Sequence, residues 1–203
     1  MTNYIRINSQ KIELTEEQVK QITAACGIQQ KQLAEHAVGE TVKIGNFEMV
    51  VLEQQEGRTA LILKGMYGEE TEFGENNNYN GSCVDQKCQE FAQELSKVIG
   101  WENIVLHKVD LTSDDGLKDY GAVERCASII TTDMYRKFVE ILDTVNPECW
   151  WWLATPWSTK RHGNDVAVKC VSPSGGIVSR DDYCDANGVR PFCILKSTIF
   201  VSA

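Results

Sequence analysis

Apolar and polar positions change period several times along the chain, and each change predicts an element. Between Asn3 and Leu14 they alternate on both sides of Asn8-Ser9, the pattern of a small hairpin. Thr15 stands three residues before Gln18, a capping-box spacing, and Val19, Ile22 and Ala25/Cys26 follow at helical period until Gly27. A short helix is therefore expected over about residues 16–26. Residues 28–37, with Gln29, Gln30 and Gln32, are polar enough for a linker or a second helix. From Val38 the alternation resumes: Gly45-Asn46 is a turn between two strands, and 47–53 and 58–64 complete an antiparallel meander. Residues 74–82 are loop by composition. Ser82 can cap a helix running to Ile99, with Phe91, Leu95 and Val98 at helical spacing and Gly100 as its stop. Asp110 to Gly116 is a turn-rich acidic loop, and Thr132 or Asp133 opens a second helix to about Leu142, bearing Tyr135, Phe138 and Val139. Strands follow at 166–171, 177–183 and 192–195, with Ser172-Pro173-Ser174-Gly175-Gly176 as a turn. Strands, two helices, then strands, with no parallel βαβ repeat, predict an α+β fold with a mostly antiparallel sheet.

Three consecutive tryptophans, Trp150, Trp151 and Trp152, interrupt this pattern. On a strand they point to alternate faces, so both faces must be covered, and two of the three are expected to be core. Trp157, beyond Pro156, is the best candidate for an exposed aromatic. The second anchor is Asn187-Gly188-Val189-Arg190-Pro191-Phe192, where Arg190 is expected to be buried and to cap carbonyls or pair an acid.

Composition alters the picture between these anchors. Residues 170–195 contain no Lys, Glu, Gln, Met or Trp, although those types make up 51 of the 203 residues. Charge is also uneven: the net value is −9, yet residues 160–203 carry six basic and four acidic side chains. An acidic body disfavours nucleic acid as a partner. No basic-then-apolar leader and no bilayer-length apolar run is present, which excludes a membrane span and predicts a cytoplasmic or virion-associated chain. The eight cysteines are then thiols, mostly small core residues. At this length the chain reads as residues 1–37, a hairpin and helix appendage for attachment or homo-oligomer formation, and residues 38–203, one domain.

The strands after Val38-Gly39, the helix after Asn80-Gly81-Ser82, the Trp-Trp-Leu-Ala-Thr-Pro run and the closing Gly188-Val189-Arg190-Pro191 resemble a C-type-lectin-like domain of unknown function found in Firmicutes and their phages. The resemblance covers about residues 38–200. It implies a small mixed sheet flanked by two helices, with the C-terminal excursion as a ligand face. The Gly-Val-Arg-Pro closure is also similar to the end of the variable proteins of diversity-generating retroelements. Those elements mutate adenines, chiefly in AAC or AAT codons, which never yields Lys, Glu, Gln, Met or Trp. The restricted alphabet of 170–195 is what such a mechanism leaves, with Lys169 as a departure at its border.

Catalytic and metal chemistry find less support in the residues. In an EF-hand register with Gly188 as the sixth-position glycine, Tyr183 stands where the first Asp belongs and Ile194 where the bidentate Glu belongs. Cys83 and Cys88 are five apart and no Cys-x-x-Cys occurs, so zinc is unsupported. Cys184 and Cys193 lie where the related formylglycine-generating enzymes carry an active-site pair, but that family's Gly-Gly-Ser-Trp run is absent. His36, His107 and His162 have no nucleophile motif beside them. The expectation is a non-enzymatic, cofactor-free display protein, phage or prophage encoded. It binds a protein or glycan, on a bacterial surface for example, through residues 160–187. Candidate contacts are Arg161, His162, Asn164, Asp165, Ser179, Arg180, Asp181, Asp182, Tyr183, Asp185 and Asn187, with Arg180 and Tyr183 foremost. The alternatives are a structural phage tail or capsid decoration subunit and a cysteine- or metal-dependent enzyme.

Overall fold

The computed structural model describes the chain apart from residues 1, 2, 8, 9, 16, 19, 20, 23–29, 181, 182, 184 and 203; for 3–7, 10–12, 179 and 180 it describes the backbone alone. The fold is α+β, with antiparallel strand pairing throughout its ladders and two long helices. The first hairpin forms as expected: β1 (Asn3–Ile7) pairs β2 (Gln10–Leu14). The capping box beyond it closes in both directions, Gln18 N–H donating to Thr15 Oγ1 at 3.2 Å and Thr15 N–H to Gln18 Oε1 at 2.9 Å. Residues 17, 18, 21 and 22 are helical, and the rest of that expected helix, residues 16, 19, 20 and 23–26, lies outside the described residues.

Part of the segment before residue 38 joins the main sheet and core. β3 (Gln30–Gln32) is a strand, neither linker nor helix, and it pairs the C-terminal strand β15 (Phe200–Ser202). Leu33 follows with no exposed surface and packs in the main core. A polar, Gln-rich segment is a poor strand former by itself, and the partner strand supplies the pairing.

β4 (Thr41–Ile44), β5 (Phe47–Gln55) and β6 (Arg58–Leu63) form the meander at the centre of an eight-stranded sheet that curls into a half-barrel. β7 (Ile104–Val105), β10 (Ala127–Ser128) and β14 (Phe192–Lys196) complete it beside β6. Its central strands are apolar at consecutive positions because both faces are covered. Met49, Val51, Leu61 and Leu63 face one core with α1 (Cys83–Ile99). Val50, Leu52, Ala60 and Ile62 face a second with α2 (Thr132–Leu142).

Both helices start close to their expected caps. Ser82 Oγ accepts the Asp85 N–H at 3.0 Å, and Gly100 ends α1 at φ 82°. The cap of α2 is Thr131, one residue earlier than expected, and its hydroxyl accepts the Met134 N–H at 3.2 Å. Val98 lies off the buried stripe of α1, which runs through Val84, Cys88, Phe91, Ala92, Leu95 and Ile99. A hairpin that local pattern did not reveal, β8 (His107–Asp110) with β9 (Ala122–Arg125), carries the acidic loop at its tip.

The tryptophans lie on β11 (Trp151–Pro156), the first strand of a three-stranded sheet with β12 (Val168–Val171) and β13 (Ile177–Arg180). Trp151 and Leu153 join the α2 core; Trp152 and Ala154 face a third core with Phe73, Tyr79 and Val189. Trp151 and Trp152 are both fully buried, so the alternation read from the sequence places Trp151 in the second core and Trp152 in the third. β12 starts at Val168, two residues later than expected, and Val166 is exposed. Among the described residues no helix is long and apolar enough to cross a membrane.

Candidate functional site

The two anchors that bound the C-terminal excursion meet. Trp151 bridges Gly188, with Trp152 N–H donating to Gly188 O at 3.0 Å and Gly188 N–H to Trp150 O at 2.8 Å. A Cβ on Gly188 would lie 2.6 Å from Met66 Sδ and 3.1 Å from Trp150 O, so any larger residue requires the Met66 side chain to shift. Two residues on, Arg190 is fully buried and caps carbonyls as expected, Nε on Leu63 O at 2.7 Å and Nη2 on Val145 O at 3.1 Å. Its guanidinium lies 5.2 Å from the Trp151 ring centroid. Burial lowers its pKa to about 10, so it remains a cation at neutral pH. Residues 157–187 thus depart from β11 and return beside the same strand, contributing the buried strand β12 to the framework on the way.

The first half of this excursion is strapped to the acidic loop. Asp115 accepts from the Ser113 hydroxyl, from Ser158 Oγ at 2.6 Å and from His162 Nδ1 at 2.9 Å, and these bonds hold its carboxyl well below the usual range. Asp119 accepts from Thr159 Oγ1 at 2.6 Å and pairs Arg161. Asp114 holds the Lys169 ammonium at 2.8 Å, and that ammonium sits 4.3 Å from the Trp157 ring centroid. Beneath them the buried Asn77 donates to Ser158 O and Ala167 O, each at 3.0 Å, while its Oδ1 accepts the Tyr120 hydroxyl at 2.7 Å. These partners escaped sequence reasoning. The available signal was the opposed charge of residues 110–119 and 160–162.

Of the expected contacts, Arg161 and His162 are exposed, on a 3-10 turn (Lys160–His162) closed by Gly163 at φ 73°. Asn164 is partly buried and structural: its Oδ1 accepts the Ala167 N–H at 3.1 Å. Asp165 is partly buried, and its carbonyl accepts the Asn77 N–H at 2.9 Å. Ser179 and Arg180 are on β13, the outer strand of its sheet, with only their backbone described; Asp181 and Asp182 lie outside the described residues. Tyr183 is half-buried against the third core, and its carbonyl accepts the Phe73 N–H at 2.8 Å. Asp185 is exposed. Asn187 is buried, 2 % exposed, in a two-way backbone bridge to Thr71, which removes it from the expected surface. The 172–176 turn is held too: Tyr135 Oη donates to Gly175 O at 2.5 Å and Asn146 Nδ2 to Pro173 O at 2.9 Å.

The reactive residue types are engaged elsewhere. His107 is buried, bonded to Ser128 Oγ at 2.8 Å and packed edge-on to Phe192, and burial pushes its pKa down to about 4. His36 pairs Glu40 at 2.7 Å. Burial raises the Cys88 thiol to about 12 and the Cys193 thiol further. Cys184, the other half of the pair considered for catalysis, lies outside the described residues. Among the described residues no three of His, Cys, Asp and Glu converge in a way that could hold a metal ion.

No curated protein and no solved structure matches the chain. The sequence model of a family described only as a domain of unknown function (DUF6273) matches residues 107–197, from β8 to just past β14, a segment that includes the acidic loop, α2, the tryptophans and Arg190.

Proposed function

We propose that the chain is a non-enzymatic display protein of C-type-lectin-like architecture that binds a protein or glycan through the 157–187 excursion. The observation that carries this reading is the closure of the excursion on itself, Trp151 against Gly188, with Arg190 and two buried tryptophans fixing its base. A framework fixed in this way tolerates exchange of the side chains it holds out. Within the restricted alphabet of 170–195, residues 173, 174, 176, 185 and 186 are exposed while 170–172 and 187–193 belong to the buried framework. Those exposed positions, with Arg161 and His162, are the surface we read as selected for contact, and the resemblance to retroelement variable proteins is the reason to read it as diversified. The buried, engaged His36 and His107 and the raised Cys88 and Cys193 thiols favour binding over catalysis.

Fluorescently labelled protein applied to intact Firmicutes cells tests the reading. It predicts saturable binding that falls at least tenfold when Arg161 and Arg180 are both replaced by Ala, with the melting temperature unchanged. Equal binding by that variant removes these residues from the site. A second reading, a structural tail or capsid decoration subunit assembling through the N-terminal segment, is favoured by one feature. Among the described residues β1 and β2 pair only each other, and an isolated two-stranded hairpin is marginal in water without a partner.

A further inference from the structure

Trp157 is an exposed aromatic whose ring is held by a fixed cation. Its backbone N–H donates to Ala167 O at 3.0 Å. The Lys169 ammonium sits against one face of its ring, itself fixed by Asp114 at 2.8 Å, and the Asp114 N–H donates to Pro156 O at 2.9 Å. Trp157 is nevertheless 43 % exposed. With one face covered, that exposure belongs to the opposite face and the rim. Val166, beside Ala167 on the facing segment, is 40 % exposed. The chain then descends through the buried Ser158 and Thr159 and returns to the surface at Arg161 and His162.

We propose that Trp157 is the stacking platform of a site for a neutral glycan, with Arg161 and His162 donating to its hydroxyls. The inference rests on the display reading above and narrows its ligand to sugar. An indole face carries negative π density and prefers electropositive C–H groups, which one face of a pyranose presents as a flat patch. The ammonium under the ring opposes a second cation on the other face, so a cationic ligand is disfavoured. The fixed cations nearest the ring are already paired, Lys169 with Asp114 and Arg161 with Asp119, and His162 is bonded to Asp115, so an anion competes with a carboxylate at each of them. The matched pairs keep directional donors. Arg161 meets Asp119 through Nη2 and His162 meets Asp115 through Nδ1, so among the described residues Nε and Nη1 of Arg161 and Nε2 of His162 have no partner. Being held already, these donors lose little freedom on binding.

Saturation-transfer NMR on the full chain decides the matter, with the methyl glycosides of glucose, galactose, mannose and N-acetylglucosamine as probes and a sialoside as the anionic control. At least one neutral glycoside is expected to receive saturation at ring C–H protons. The signal should fall at least tenfold in Trp157→Ala, persist at reduced strength in Trp157→Phe, and be unchanged in Trp101→Ala, which alters a second exposed indole outside the loop. Melting curves of each variant separate lost binding from lost folding. The proposal is overturned if no neutral glycoside binds, if only the sialoside binds, or if Trp157→Ala binds like the parent chain. Absence of glycoside binding alongside cell binding that Arg161→Ala abolishes would reject the sugar and leave the display reading standing.

Discussion

Arg190 shows how a single side chain can close a framework. Its guanidinium joins the β6 end, through Leu63 O, to the segment after α2, through Val145 O, and covers Trp151. Replacing it by Ala leaves two carbonyls without these donors, and each buried unsatisfied group costs about 1–3 kcal/mol. Arg190→Ala should therefore lose about 3 kcal/mol of stability in urea titrations at neutral pH; a loss below about 1 kcal/mol would mean that water replaces it. His107 makes a pH prediction. Its folded pKa, pushed down to about 4, lies below the ordinary 6.5, so the unfolded chain binds the proton more readily. The stabilising term is complete above about pH 6.5 and is lost as pH falls toward 4, amounting at most to about 3 kcal/mol. The urea midpoint should drop between pH 7 and 5, before most carboxylates titrate, and His107→Gln should flatten that drop. Both residues illustrate what the sequence made legible. The alternation of Trp151 and Trp152 and the buried role of Arg190 follow from local pattern and chemistry. The burial of Asn187 does not, because it depends on Thr71, 116 positions away.

At the scale of elements, the caps are the most legible features. Ser82 was placed from its position before an amphipathic run, and its hydroxyl makes the expected bond. Ser82→Ala should cost about 1 kcal/mol, read as a shift in urea midpoint at constant slope; no shift would mean that Asp85, whose Oδ2 accepts the Gly81 N–H at 2.9 Å, carries the cap alone. Elements whose partners are distant were less legible. β3 is polar and becomes a strand only against β15, and β8 and β9 are four residues each, paired across the acidic loop. The same distance hid the straps of the candidate site: neither Asp115 nor Asp119 lies near His162 or Arg161 in sequence, though their opposite charges were in plain view.

For the molecule as a whole, strand and helix order sufficed for an α+β fold, while the three-core arrangement required the pairing of β14 with β6 and β10. That arrangement sets where the chain can be shortened. A chain beginning at residue 15 loses the hairpin, whose strands pair only each other among the described residues, and should melt as the full chain does. One beginning at residue 38 also loses β3 and the fully buried Leu33, a side chain whose removal alone typically costs about 2–5 kcal/mol, and should melt several degrees lower. Equal melting of the two shortened chains would mean that β3 and Leu33 add nothing to the framework. The central claim, a framework that displays an exchangeable surface, is tested most directly on the DNA. Sequencing the locus around the gene should reveal a reverse transcriptase and a near-copy of the codons for residues 160–195 that differs at adenines, with the codon for Arg190 conserved between the copies. Absence of both would reduce the restricted alphabet to ordinary strand composition and contradict a diversified display surface, leaving the structural-subunit reading ahead.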